Sequence, residues 1–554
     1  MSIYLRGVGG APGLAMGAVS RCFSEHVHWY HPDPDPETAL RRLGAAQAAA
    51  ADQLRTLAEQ LRAEGHEEEA GIFDAQSMLA EDAYLSDEVG RRMRAGPSAL
   101  EPAILATVAE MRTTLALLDD PYLRDRAGDM DAVGRLVLAA LRSETRDFRN
   151  LPPGAIVVAD DLSPAEVMAL RGGPATGFAI AEGGPTSHTV ILARAFSIPA
   201  VVGLGPAILS LRNGAALILD GDASLAIVEA DPADRELYEQ RIVGHNAAVE
   251  RRRALRSEPG RTADAHPVAL LANIGRPEEA RIALEQGAEG VGLFRTEFLF
   301  LDRPTPPSEE EQFAAYCETL RVMDGRVVVA RTLDVGGDKQ LPYLGLPHEV
   351  NPALGVRGLR LCMRRPDLFH VQVRALLRAA VFGDLWLMLP MVATPEDLVW
   401  ARAAIHAAAE SLAREGLPHR VDIPVGIMVE TPAAAMLADR LAYDAAFFSI
   451  GSNDLAQYTL AADRSSGELM ARYPHTSPAV LRLIAQTVTA ALRAGIRVGV
   501  CGELAALPDV AAALVGMGIN SLSMSPAAIP AVKEHLRDLS LAQARSLARR
   551  ILAE

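Results

Sequence analysis

With 554 residues, 49% of them apolar, the chain can bury several cores, and its length points to roughly two to four domains. A net charge of −16 argues against nonspecific nucleic-acid binding, and no apolar run approaches the roughly 20 residues a bilayer span needs. Four cysteines (Cys22, Cys317, Cys362, Cys501) lie scattered without a CxxC pair, against a disulfide framework or zinc ribbon. The opening MSIYLRGVGGAPGLAMG has no basic segment followed by a long apolar one, so a cytoplasmic protein without membrane insertion is expected.

In chain order, SIYLRGVGGAPGLAMGAVSRCF predicts short strands punctuated by glycine turns. After HPDPDPET the period changes, and Leu54, Leu57 and Leu61 recur at helical spacing. Further amphipathic stretches follow in AGIFDAQSMLAEDAYL, EPAILATVAEMRTTLALL and DAVGRLVLAALRSE. Between His31 and Asn150 there are 23 acidic and 14 basic residues, a net −9, which is either a solvated helical face or a docking surface for a basic partner. Strand-like text returns in GAIVVADD, GFAIAEGG, PAVVGLG and AALILDGD, so residues 1–32 and 146–230 are expected to form one α/β domain interrupted by a helical bundle over 33–145. A long charged helix over 231–262 then reads as a connector.

From Pro267 eight short apolar runs alternate with helical patterns, the count for a (β/α)₈ barrel over 263–554. Chemistry in such barrels sits where strands end, and those ends are distinctive. Arg295, Arg331, Glu430, Asn453, Asp454 and Cys501 stand there, with Asp334, Lys339, Arg357 and Arg464 in the connections that follow. Arginine forks bind carboxylate and phosphate, and Glu430 with Asp454 would make an oxygen-rich site for Mg²⁺ or Mn²⁺. A small, multiply charged phosphate that also chelates a metal is the expected ligand. Lys339 is one of only two lysines among 54 basic residues. Cys501 is either a buried small hydrophobe or a proton donor at the barrel mouth.

The stretch EGGPTSHTVILARAF surrounds His188 with glycines and places it just before a predicted helix. Helix N-terminal amides favour an anion there, Gly183 and Gly184 allow close approach, and Thr186 or Ser187 can cap the helix. His188 is thus either a structural histidine or the carrier of a phosphoryl group.

Taken together, GGPTSHTVILAR, GLFRTEFLFLDR, RTLDVGGDK, GIMVETPAA, FFSIGSNDLAQYTLAADR and GVCGELA resemble the motifs of the phosphoenolpyruvate-utilising enzymes. Their order and the helical insertion resemble the enzyme I family of the bacterial sugar phosphotransferase system along essentially the whole chain. The resemblance implies that phosphoenolpyruvate binds with Mg²⁺ held by Glu430 and Asp454, and that Arg295, Arg331, Asn453 and Arg464 meet its carboxylate and phosphate. Arg357 and Lys339 are implied nearby. It further implies that His188 takes the phosphoryl group, that Cys501 protonates the enolate to pyruvate, and that the phosphate passes to the carrier protein HPr docked on the helical insertion. A homodimer through the barrel is also implied. Within the insertion, GIFDAQSMLAED, with Phe73, Met78 and Leu79 among acids that include Asp74, is the expected contact face. Pro185 departs from the family pattern, standing where relatives often carry Arg or Met.

The nearest alternative is a phosphoenolpyruvate synthase or dikinase, which shares the histidine domain and barrel but needs a nucleotide-binding domain not evident here. A non-catalytic regulatory relative is the other; retention of His188, Glu430, Asp454 and Cys501 speaks against it.

Overall fold

Period-two alternation builds the first sheet. Along Ala155–Ala159, Val157 and Ala159 join one buried cluster while Ile156 and Val158 join another, as residues on opposite faces of a strand must. The computed structural model describes residues 2–22, 35–63, 67–95, 99–116, 121–142, 148, 150–184, 187–301, 303–336, 341–345, 349, 351–464 and 466–553. The chain divides into two units, Met1–Ala247 and Ala248–Glu554.

Among its described residues the first unit carries eight strands: β1 (Ile3–Arg6), β2 (Gly9–Ala11), β3 (Leu14–Arg21), β4 (Ala155–Ala159), β5 (Ala175–Ile180), β6 (Ala200–Val202), β7 (Ala216–Asp220) and β8 (Leu225–Val228). They form one mixed sheet in the order β1-β8-β7-β3-β4-β5-β6-β2. β3 lies between β7, antiparallel to it, and β4, parallel to it. Strands separated by more than a hundred residues of chain are therefore neighbours. The four-residue β8 was not expected from the sequence, being too short to show its alternation.

Between β3 and β4 the chain forms α1 (Pro36–Ala63), α2 (Glu67–Ala80), α3 (Ala83–Ala95), α4 (Leu100–Ala116) and α5 (Pro121–Arg142). Leu54, Leu57 and Leu61 are buried, each such leucine contributing about 1.5–3 kcal/mol. The expected contact face on α2 needs a correction. Ala70, Phe73, Gln76, Ser77 and Ala80 share the buried side of the helix, so Phe73 belongs to the core and cannot meet a partner. Met78 is exposed, Leu79 is half-buried and Asp74 pairs with Arg62.

Two short helices follow within the sheet region, α6 (Pro164–Leu170) and α7 (His188–Ala195). The charged α8 (Pro232–Leu255) starts where Asp231 Oδ1 accepts from the backbone N–H groups of Ala233 and Asp234 at 3.1 and 3.2 Å, an Asp N-cap.

The second unit is built on β9 (Ala269–Ile274), β10 (Val291–Arg295), β11 (Val328–Arg331), β12 (Leu385–Leu389), β13 (Val425–Val429), β14 (Phe447–Gly451), β15 (Arg497–Cys501) and β16 (Ser521–Met524). They close into a barrel, β16 pairing in parallel with β9. All eight apolar runs expected to be strands are present. Leu293, Val329, Met388, Met428, Phe447 and Cys501 form one small cluster, while their chain neighbours Phe294, Ala330, Leu387, Ile427, Phe448 and Val500 belong to the large core shared with the helices. The alternation inside to outside follows from the strand period. Among the described residues no helix is long and apolar enough to cross a membrane.

Candidate active site

Arg295, Arg331 and Cys501 are the last residues of β10, β11 and β15, and Glu430 directly follows β13. Arg295 stands level with Arg331, and Gly451 with Cys501, in the barrel register. Asn453 and Asp454 occupy the first turn of the Ser452–Leu460 helix that follows β14. Arg464 lies just beyond that helix, and Arg357 precedes the helix that begins at Leu359. Parallel strands thus deliver their ends to one rim, and all eight of these residues line a single cavity of about 220 Å³. Lys339, the ninth residue expected there, lies outside the described residues.

The charges of the cavity lining balance. Four arginines share the cavity with four carboxylates, since Glu297 and Asp334 line it besides Glu430 and Asp454. Arg331 donates to Glu297 Oε1 at 2.6 Å and pairs with Asp334 Oδ2 at 2.8 Å. Arg357 forks onto Asp334 with two contacts of 3.0 Å and onto Asp454 at 2.9 and 3.2 Å. Arg464 also reaches Asp454, at 2.9 Å. The guanidiniums are thus held by carboxylates before any ligand arrives. Burial opposes the charged form of Arg357, but Asp334 and Asp454 outweigh it and hold its pKa above the ordinary arginine value. Arg295 differs: half-buried on the cavity wall, its side chain makes no hydrogen bond or ion pair among the described residues.

Glu430 is fully buried, and its Oε1 accepts from the Met391 backbone N–H at 2.6 Å. Met391 adopts a left-handed φ of 56°, a strained conformation that a functional site can retain. Glu430 Oε2 is buried with no hydrogen-bond partner among the described residues. Burial first, then Asp334 and Asp454, push the Glu430 carboxyl up to about 8. Among the described residues no cluster of three or more His, Cys, Asp or Glu side chains is arranged to hold a metal. A divalent cation nevertheless fits here, because a buried carboxylate oxygen without a partner among the described residues, within the electrostatic reach of Asp334 and Asp454, is relieved by positive charge, and magnesium completes its shell with water and ligand oxygens.

Cys501 is buried among apolar neighbours, receives a hydrogen bond from Ser449 Oγ at 3.3 Å, and lies 3.6 Å from the Ile450 carbonyl oxygen. Burial raises the thiol above its ordinary value despite the Ser449 hydrogen bond. Asn453 donates to Glu503 Oε1 at 3.3 Å and accepts from the Glu503 backbone N–H at 3.2 Å. Ser449 was missed from the sequence, although alternation in FFSIG puts it in line with Phe447 and Gly451. Tyr458 was also missed. It sits one turn beyond Asp454, donates to the Ala353 carbonyl at 2.6 Å and lies 3.4 Å from Arg357 Nη1.

His188 belongs to the other unit. It opens α7 rather than preceding it, and Ser187 is the N-cap by backbone conformation. The expected side-chain cap is not made by Ser187, whose hydroxyl is buried without a partner among the described residues. Thr189 Oγ1 instead anchors the helix start on the Leu162 carbonyl at 2.9 Å. Gly183 takes a φ of +92°, which a side chain would resist. Pro185, Thr186 and the His188 imidazole lie outside the described residues and side chains.

Comparison with known proteins agrees with this arrangement. Residues 6–126 match the family description "PEP-utilising enzyme, N-terminal", residues 151–224 "PEP-utilising enzyme, mobile domain" and residues 249–541 "PEP-utilising enzyme, PEP-binding domain". The phosphoenolpyruvate-protein phosphotransferase of Geobacillus stearothermophilus is 39% identical over 94% of this chain and 90% of its own length. That of Haloferax volcanii is 41% identical over 99% and 96%, and that of Bacillus subtilis 37% over 99% and 97%. The chain therefore belongs to the phosphoenolpyruvate-utilising enzymes, in the family of the phosphoenolpyruvate-protein phosphotransferases, enzyme I of the phosphotransferase system.

Proposed function

We propose that the chain transfers the phosphoryl group of phosphoenolpyruvate to its own His188 and then to a histidine of HPr, releasing pyruvate as the first step of sugar uptake. The observation that carries this is the barrel-rim cavity, where the Arg295 guanidinium and the Glu430 Oε2 oxygen, both without a partner among the described residues, converge with the Cys501 thiol. Arg295 takes the anionic end of the substrate, while Arg331 and Arg464, already held by carboxylates, present their remaining N–H groups, and Arg357, whose five N–H groups are all engaged, contributes its charge. Asn453 adds an amide donor, and Lys339 is assigned to the same site. Glu430 and Asp454 would hold a divalent cation, magnesium or manganese, which when bound neutralises charge on the phosphate and the enolate oxygen.

A neutral ring nitrogen of His188 forms the P–N bond as the bond from phosphorus to the enolate oxygen breaks. The enolate carbon then takes the Sγ proton of Cys501, giving pyruvate and a thiolate that Ser449 Oγ–H supports. A histidine of HPr next takes the phosphoryl group from His188. We assign residues 1–32 and 146–230 to the phosphohistidine domain, the helices of 33–145 to HPr docking, 231–262 to the linker, and the barrel to dimerisation, in a cytoplasmic enzyme.

The test is incubation with radiolabelled phosphoenolpyruvate and Mg²⁺. Acid-labile label should appear on the wild type, be absent from His188→Ala, and discharge when HPr is added. Equal labelling of His188→Ala would remove His188 from the mechanism.

A further inference from the structure

Next to the cavity-lining segments of β10 and β11 lies a buried polar chain that the mechanism does not use. Its centre is Gln372, fully buried on the helix Pro366–Ala379 that packs outside the barrel. Its Oε1 accepts the Leu333 backbone N–H at 2.8 Å. Its Nε2 donates to Thr296 Oγ1 at 2.9 Å and to Tyr316 Oη at 3.2 Å. Thr296 Oγ1 in turn donates to the Arg331 carbonyl at 2.6 Å, and Tyr316 Oη donates to Gln312 Oε1 at 3.1 Å. Gln312 closes the chain by donating to the Pro307 carbonyl at 3.1 Å.

The protons in this chain have one arrangement. Thr296 and Tyr316 each have a single hydroxyl proton, and each is committed to a carbonyl oxygen. Both hydroxyls must therefore accept from the next group, and only an amide NH₂ can donate to both while its oxygen accepts the Leu333 N–H. The three side chains that Gln372 links directly or through Tyr316 are also fully or almost fully buried, so a missing member cannot be replaced by bulk water.

What the chain holds matters more than its stability. Thr296 sits between Arg295 and Glu297, and its hydroxyl ties that segment to the backbone of Arg331. Leu333 N–H lies one residue before Asp334. A single amide thus fixes the two strand ends that carry Arg295, Glu297, Arg331 and Asp334. We infer that Gln372 is a positioning residue for phosphoenolpyruvate binding, setting the spacing between the ends of β10 and β11 on which the arginine pair depends. This rests on reading the cavity as the phosphoenolpyruvate site.

The test uses the full chain with Mg²⁺ and compares the wild type with Gln372→Met and Gln372→Glu. Gln372→Met keeps the volume but leaves Leu333 N–H without an acceptor and removes both donors. Each folded variant is titrated with phosphoenolpyruvate, and its KM and kcat for pyruvate formation are measured. Gln372→Met should weaken substrate binding by about tenfold to a hundredfold, with the larger change in KM. Gln372→Glu retains the acceptor, and its protonated form supplies one donor where the amide supplies two, so its KM should fall between those of the wild type and Gln372→Met. A Gln372→Met protein whose melting temperature drops while KM and kcat stay at wild-type values would make Gln372 purely structural. A Gln372→Glu KM as high as that of Gln372→Met would overturn the proton assignment and with it the proposal. A wild type that fails to bind phosphoenolpyruvate would instead overturn the reading of the cavity, a separate outcome.

Discussion

The five-helix segment and the barrel rim are both rich in ion pairs, yet the pairs differ in kind. In the helices, Arg55 and Glu81 meet at 3.0 Å with side chains 45% and 48% exposed. At the rim, Arg331 meets Glu297 at 2.6 Å with side chains 7% and 0% exposed. Water and salt can replace a partner in the first case but not in the second. The difference teaches what the rim charges are for. Buried pairing is costly and contributes little net stability against an apolar alternative, but it fixes the guanidiniums in place before the substrate arrives, as electrostatic stabilisation of a phosphoryl transfer requires.

The largest test of this contrast is Asp334→Ala. Asp334 receives both Arg331 and Arg357, so its loss leaves two buried guanidiniums short of a counter-charge. Urea unfolding should show a loss of about 3–5 kcal/mol, and labelling of His188 should fall about a hundredfold. An unchanged unfolding midpoint would mean that the rim pairs are as dispensable as surface ones.

Cys501→Ala sharpens the comparison from the chemical side, since it removes a buried group that carries no ion pair. Pyruvate formation should fall by about 10²–10⁴-fold, the range for a lost acid catalyst, while phosphoenolpyruvate affinity stays as in the wild type. The pH profile carries the sign of the thiol shift. Burial raises the folded-state value, so this group's contribution to folding is fully present below the ordinary thiol value of about 8.5 and lost as pH rises through the folded one. Wild-type pyruvate formation should therefore hold level past about pH 8.5 before it declines. A fall beginning near neutral pH would remove Cys501 as the donor.

The barrel was legible because each strand is an apolar run with a polar punctuation mark at its end, and the rim residues are those marks. What the sequence hid is pairing. Glu297 and Asp334 stood in the quoted motifs, but that they neutralise Arg331 and Arg357 depends on how side chains fold back across strand ends. Phe73 was misjudged for a related reason. Flanking acids made its stretch read as surface, whereas its spacing from Ala70, Gln76, Ser77 and Ala80 puts it on the buried side. The left-handed backbone of Met391, which aims an N–H at Glu430, leaves no mark in residue type at all.

The smallest expected effect belongs to the exposed helical pair. Replacing Arg55 with alanine removes a contact that solvent largely screens, and the released Glu81 carboxylate returns to water rather than to an apolar interior. A double-mutant cycle of Arg55→Ala with Glu81→Ala should give a coupling of about 0.2–1 kcal/mol at low salt, shrinking as ionic strength rises. Asp334→Ala, whose charges are buried, should keep its full effect across the same salt range. If the Arg55–Glu81 coupling matched the Asp334 loss, or if both faded together with salt, exposure would not be what separates the two regions. The rim's fixed geometry would then need another cause than the burial of its charges.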